Sequence, residues 1–296
     1  MTLQARIEAA ISTNTQQQAE LAESKHAYGG CINDSRIITL KDKRQYFVKT
    51  HQNANSYPDL FKTEFKALQL LAEPGVIQVP KPITYDEDFI VLEVFKEGSK
   101  ANDWQEQIGR QLAELHKATQ KNQFGFEENN YLGTSKQINN WTDSWLTFWR
   151  EQRLGYQLKL FAEKTNQDDD LLKAGDELLN KLDVLIGNIT EPAVLLHGDL
   201  WSGNAAANEK GEPIIFDPAS YYGHREAEIG MMRLFGGFGP SCEAAYAEIW
   251  PLEEGSEQRI TLYRLYHELN HLNLFGSGYY QTCLSTINTL IKNIPY

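Results

Sequence analysis

The chain has 296 residues, with 28 Lys and Arg against 40 Asp and Glu, for a net charge of −12. That balance argues against a nucleic-acid partner, which needs a basic stripe, and mildly favours a cationic one, although solubility alone is reason enough for it. No apolar run approaches the ~18 residues of a membrane helix, so no membrane partner is expected. The polar, Gln-rich stretch 1–23 has no signal-peptide core. Three scattered cysteines, Cys31, Cys242 and Cys283, suit neither a disulfide framework nor a metal cluster, which makes a reducing, cytoplasmic setting the expectation.

In chain order, residues 19–28, 35–40 and 44–50 alternate or carry β-branched and aromatic side chains and predict strands. Gly29-Gly30 and Lys41-Asp42-Lys43 punctuate them as turns. Over 59–71 the apolar residues Leu60, Phe61, Phe65, Leu68 and Leu71 fall on one helical face, and Pro74-Gly75 ends that helix. Residues 89–95 read as a buried strand. Lys96 to Lys100 is polar and reads as a flexible hinge between lobes. Beyond it helices dominate: 102–117, 141–161 and 168–185 are amphipathic. Short strands at 193–196 and 213–216 interrupt them. The pattern is an α+β plan with a small β-rich lobe over 1–96 and a larger helical lobe over 97–296.

The chemistry-bearing stretch is His197-Gly198-Asp199-Leu200-Trp201-Ser202-Gly203-Asn204, followed by Phe216-Asp217-Pro218-Ala219. Asp199 leads Asn204 by five positions, and each of the two aspartates closes a short apolar strand. Phosphoryl transfer needs one carboxylate to receive a hydroxyl proton, and an amide and a carboxylate to hold Mg²⁺. If the two strands pair, Asp199, Asn204 and Asp217 meet at one edge. Taken singly, each residue has a plainer reading: Asp199 as a turn residue, Asn204 as a helix cap, Asp217 as a turn starter before Pro218. Their joint occurrence favours the chemical one. His197 reads as a residue that orients the loop and as a candidate substrate contact. Trp201 suits stacking on a sugar face or a place in the core.

The first lobe supplies matching parts. The Gly29-Gly30 turn brings bare N–H groups where phosphates could approach. Lys49, between apolar neighbours on a strand, needs a counter-charge if it points inward, and Glu64 on the next helix is placed to supply it. Pointing outward, Lys49 is a snorkelling strand residue and Glu64 a solvated one. The order of glycine turn, strand lysine, helix glutamate, apolar strand and Asp–Asn–Asp set is that of a kinase-like fold. Cys31 beside the turn could carry thiolate character and be oxidisable, or simply fill a tight turn. Trp141, Trp145 and Phe148 follow helical spacing and suit a core, with Trp141 at the helix start able to reach a substrate.

These motifs resemble the fructosamine kinase (ketosamine-3-kinase) family, of the aminoglycoside-phosphotransferase-like branch of the protein-kinase fold. Gly29-Gly30-Cys31-Ile32, Trp141 through Phe148, Tyr222-Gly223-His224-Arg225-Glu226, Phe235-Gly236-Gly237-Phe238 and Leu269-Asn270-His271 extend the similarity over nearly the whole chain. The resemblance implies Asp199 as general base, Asn204 and Asp217 on Mg²⁺, and Lys49 on the α/β-phosphates paired with Glu64. It also implies that Glu93, Val94 and Phe95 form a hinge against adenine. ATP would be the phosphoryl donor and a small-molecule or protein-bound ketosamine the acceptor, with phosphorylation promoting deglycation.

Three other readings compete. One is a kinase of another small alcohol, such as an aminoglycoside, choline or a sugar. Another is a nucleotide-binding regulator without catalysis. The third is a phosphoesterase built on His197, Asp199, Asp217 and His224. His267-Glu268-Leu269-Asn270-His271 also fits a zinc-protease pattern, but residues 272–296 hold no His, Asp or Glu to supply a further ligand.

Overall fold

The computed structural model describes residues 1–27, 34–51, 53–165 and 169–294. Gly29, Gly30 and Cys31 lie outside the described residues.

Strands β1 (Leu21–His26), β2 (Asp34–Leu40), β3 (Gln45–Thr50), β4 (Pro82–Tyr85) and β5 (Phe89–Glu93) form one antiparallel sheet in the order β1-β2-β3-β5-β4. Side chains alternate across a sheet, and the two faces have different covers. Ile38, Leu40, Tyr46, Val48, Phe89 and Val91 pack with Ile7 and Ile11 of helix α1 (Leu3–Thr15). Ile90 and Leu92, with Phe47 beside them, pack against Phe61 and Leu68 of helix α2 (Leu60–Ala72). Lys49, two positions after Phe47, therefore faces α2.

Helix α1 is an addition to the sequence reading, which assigns no element before residue 19. Its helical face is thin, Ile7 and Ile11 being its buried residues, and Thr2 caps it by accepting from the Ala5 N–H. Tertiary contact compensates: Arg6 pairs with Asp86 and Asp88 at the β4–β5 turn, and Asn14 reaches Thr84 at 3.0 Å. The segment after β5 is also less free than a hinge suggests. Gly98 donates to Ala207 O at 2.9 Å and Ala101 to Gly211 O at 3.1 Å. A Cβ on Gly98 would stand 2.4 Å from Asn208 O.

The remainder is mostly helical. Helix α3 (Trp104–Ala118) leads to the hairpin β6 (Asn130–Leu132) and β7 (Ser135–Gln137). The 141–161 region, expected as one helix, is three pieces: α4 (Trp145–Trp149), a π turn over Arg150–Leu154, and α5 (Gly155–Ala162). Ser144 sets the start by accepting from the Thr147 N–H. The 168–185 region divides into α6 (Asp170–Asn180) and α7 (Leu182–Ile186). Four short strands follow, β8 (Val194–Leu196), β9 (Ala205–Ala207), β10 (Pro213–Ile215) and β11 (Tyr221–Gly223), then α8 (Glu226–Leu234), α9 (Pro240–Ile249), α10 (Ser256–Phe275) and α11 (Tyr280–Lys292).

The expected pairing of the strands before Asp199 and Asp217 does not occur. β8 pairs with β11, and β10 pairs with β9. β10 takes the nearer β9 as its partner, while β8 takes β11, which lies farther along the chain than β10. One apolar core, including Trp104, Phe148, Trp149, Tyr263 and Leu269, carries the helices and the buried β8 strand.

Replacing Ile11 by Ala opens a cavity between α1 and the sheet. It is expected to cost about 2–5 kcal/mol in denaturant unfolding. A loss below the range for exposed substitutions would detach α1 from the core.

Candidate active site

The site begins with β3. The inward Lys49 is 5% exposed, and its Nζ lies 2.6 Å from Glu64 Oε1 on α2. It also ion-pairs with Asp217 Oδ1 from the opposite side of the cleft. A buried ammonium requires such company, because desolvation without a counter-charge is prohibitive. Of the two readings open for Lys49, the inward one holds.

Asp199 and Asn204 sit on the loop after β8. Gly198 has φ of 82°, and a Cβ there would stand 2.2 Å from Ala219 O, so both conformation and space call for glycine. Buried Glu228 of α8 accepts the N–H groups of His197 and Gly198. His197 is fully buried, and desolvation lowers its pKa, which keeps it neutral near pH 7. Its Nε2 is 2.9 Å from Phe216 O, which can only accept, so Nε2 carries the proton. Nδ1 is then free to accept the Asp199 N–H at 3.3 Å. His197 thus orients the loop from behind and does not line the cavity, which corrects the expectation that it touches substrate.

Three hydrogen bonds, two of them between backbone groups, do the work expected of paired strands. His197 Nε2 reaches Phe216 O, Phe216 N donates to Asn204 O at 3.0 Å, and Ala219 N donates to His197 O at 2.9 Å. Asp217 lies between them with φ of 61°, a costly conformation for a residue with a Cβ.

Asn204 turns its Nδ2 to Asp199, 2.8 Å from the backbone oxygen and 3.2 Å from Oδ2. This places its carbonyl Oδ1 on the other side of the amide. An amide oxygen and the Asp217 carboxylate are hard donors that fit magnesium, which takes few protein ligands and completes its shell from water and phosphate. Among the described residues no group of three or more His, Cys, Asp and Glu could hold a metal by itself.

Asp199, Asn204, Asp217, Lys49 and Glu64 line a single cavity of about 450 Å³ together with Trp201, Tyr131, Phe235, His271 and Phe275. Asp199 is half-buried on its wall. Loss of hydration pushes its carboxyl up to about 8, against the lowering effect of Asn204, while Glu228 adds to the rise. Trp201 meets the ring of Phe235 edge-on at 5.6 Å, so it faces the cavity rather than the deep core.

Other expected residues fall elsewhere. Trp141 is 37% exposed, 5.8 Å from the Tyr222 ring with Lys121 over both, and is not in this cavity's wall. Glu93 ends β5 exposed, and with Val94 and Phe95 lies beyond the wall. The Phe95 ring nonetheless sits 5.8 Å from Phe216, next to Asp217. The phosphoesterase set does not assemble: His224 is buried against Glu191 and Tyr263. In the zinc-protease pattern, His267 is 3% exposed within the core and Glu268 bonds Arg264 at 2.9 Å, while His271 lines the cavity. Glu228 escaped the sequence reading because a glutamate in a helix ordinarily reads as a solvated one. Its signal was its place among apolar neighbours in Glu226–Leu234.

The fold is the one found in aminoglycoside-phosphotransferase-like proteins. Low-identity neighbours in solved structures share the fold, among them a choline kinase of Streptococcus pneumoniae, with a TM-score of 0.64 at 15% identity over 96% of this chain and 98% of that one. A structure from Thermobifida fusca, described as a candidate fructosamine-3-kinase, superposes with a TM-score of 0.87 at 29% identity over 97% of this chain and 98% of that one. The profile described as Fructosamine kinase matches residues 3–293, and the chain belongs to that family. A protein-ribulosamine 3-kinase of Arabidopsis thaliana, a chloroplastic protein, is 41% identical over 89% of this chain and 81% of its own length. A mouse ketosamine-3-kinase is 33% identical over 90% of this chain and 94% of its own length. Among the described residues, no helix is long and apolar enough to cross a membrane.

The raised Asp199 pKa has a thermodynamic signature. The folded chain holds that proton more tightly than the unfolded one, whose Asp titrates near 3.8. This group's contribution to stability is therefore full below about pH 4 and lost as pH rises through about 8. Asp199→Asn removes the dependence, so the variant should gain melting temperature over wild type at about pH 8 and much less at about pH 4. Equal differences at both would contradict the shifted pKa.

Proposed function

We propose that this protein transfers the γ-phosphoryl group of ATP to a sugar hydroxyl of a ketosamine, O3 of the ketose, with residues 1–96 and 97–296 as the two lobes of the cleft. What supports this reading is that Lys49, Asp199, Asn204 and Asp217 line one cavity, in a chain whose relatives include ribulosamine and ketosamine kinases.

In this reading Lys49, held by Glu64, neutralises charge on the nucleotide phosphates. Glu93, Val94 and Phe95 present main chain to the adenine. Asn204 Oδ1 and the Asp217 carboxylate would hold Mg²⁺, which when bound neutralises phosphate charge and orients the γ-phosphoryl group. Asp199 orients the acceptor hydroxyl and receives its proton. Orientation is its main task because phosphoryl transition states are loose. Trp201 offers an apolar face to the sugar ring. Most of the acceleration comes from positioning and charge stabilisation.

The product has a built-in fate. A ketosamine enolises toward C1–C2, which leaves the C3 substituent allylic. Phosphate departs far more readily than hydroxide, the adduct decomposes, and the amine is set free. Phosphorylation is in this way a deglycation step.

Phosphorus NMR of a ketosamine with Mg-ATP and enzyme should show a C3 phosphate ester, and Asp199→Ala should reduce its formation by at least about 100-fold. Retained turnover in that variant would remove Asp199 from the role of base. A phosphate ester on free sugar or choline, but not on the ketosamine, would overturn the substrate class.

A further inference from the structure

Arg153 is fully buried, and among the described residues it pairs with no carboxylate. It projects from the π turn Arg150–Leu154, an insertion that often marks functional positions in helices. Its guanidinium stacks over the rings of Tyr221 at 4.0 Å and Phe148 at 4.4 Å. It donates to the backbone oxygens of Ile138 and Gln152 and, through Nη2, to Asn139 Oδ1 at 2.7 Å. A buried charge met only by neutral acceptors, with Nε left without a partner, is an expensive arrangement, and it has a directional consequence.

A guanidinium only donates. Asn139 must therefore turn its oxygen to Arg153 and its Nδ2 away, toward Asn130 Oδ1 at 2.8 Å and Glu128 O at 3.1 Å. Asn130 Oδ1 is thereby an acceptor, and the Asn130 Nδ2 must face the other way, where it donates to Ser220 O at 2.8 Å. Gln137 follows the same polarity. Its Oε1 accepts from Tyr266 Oη at 3.0 Å, and its Nε2 donates to Asn130 Oδ1 at 2.8 Å and to Ala219 O at 2.9 Å. All five polar residues are at most 3% exposed. The relay ends by presenting N–H donors to the carbonyls of Ala219 and Ser220, on the segment that leaves the strained Asp217.

We propose that Arg153 is a positioning residue for Asp217, acting through the amide relay of Asn139, Asn130 and Gln137 that its donor-only head orients. The relay holds the Ala219 and Ser220 carbonyls from below while His197 holds the segment from above, and the left-handed Asp217 is fixed between them. This inference rests on the proposed role of Asp217.

Asn139→Asp separates the relay from simple stability. The new carboxylate gains an ion pair with Arg153, but it cannot donate to Asn130, so the polarity downstream is lost. Asn130→Asp breaks the same relay at its last step by setting a carboxylate oxygen against Ser220 O. Turnover and amide hydrogen exchange, the latter without any substrate, are measured for both. With either variant, kcat should fall roughly 10- to 100-fold with KM for the ketosamine nearly unchanged, and exchange should quicken over 216–222 but not over α1. Wild-type exchange with wild-type turnover overturns the relay, as does exchange raised equally in every segment. Faster exchange confined to 216–222 with wild-type turnover overturns the role given to Asp217.

Discussion

The buried ammonium of Lys49 is the constraint around which the rest is arranged. It sits in the middle strand of the sheet, on the face toward α2, and is shared between Glu64 and Asp217. Breaking such a pair by removing one partner costs roughly 3–5 kcal/mol, because a buried charge is left without its counter-ion. The sheet, α2 and the Asp217 segment are therefore tied to one another through a single nitrogen. This tie is also the device that brings a cation from the first part of the chain against the carboxylate and amide of the second.

The second half of the site is a stitched pair of loops, not a sheet edge. Gly198 takes a left-handed conformation under Ala219 O, Asp217 takes one without glycine's exemption, and Asp199 is deprived of water. Each of these is a cost in stability. The neighbours that offset it are fully buried: Glu228 beneath the amides of His197 and Gly198, neutral His197 between the loops, and the Asn and Gln relay below Ala219 and Ser220. Preorganised polar groups that cannot relax toward water suit phosphoryl transfer, where little covalent work is asked of the protein.

Much of this was legible in the sequence because it is local. Period-two alternation located β2 and β3 and put Lys49 on a strand, with its direction left for the fold to decide. The face of Leu60, Phe61, Phe65 and Leu68 located α2, and the Asp199–Asn204–Asp217 spacing singled out residues that line one cavity. What escaped depends on contacts far apart in the chain. Helix α1 has too thin an apolar face to announce itself and is held by Arg6 reaching Asp86 and Asp88. β8 and β10 each found another partner, since β9 and β11 are three residues each and nearly invisible to patterning. Glu228, Asn130 and Gln137 look like surface residues until the fold buries them, and Trp141 looks like a site residue until the fold turns it toward Tyr222.

Nucleotide binding tests the shared ammonium most directly. Calorimetric titration of ATP, with and without Mg²⁺, into wild type, Lys49→Met and Asp217→Asn would measure what each partner contributes. Wild type should bind ATP more tightly with Mg²⁺. Lys49→Met should lose at least about tenfold in affinity, equivalent to about 1.4 kcal/mol, and Asp217→Asn should lose most of the Mg²⁺ dependence. Affinities that are the same in all three proteins, and indifferent to Mg²⁺, would contradict the placing of the phosphates between Lys49 and Asp217.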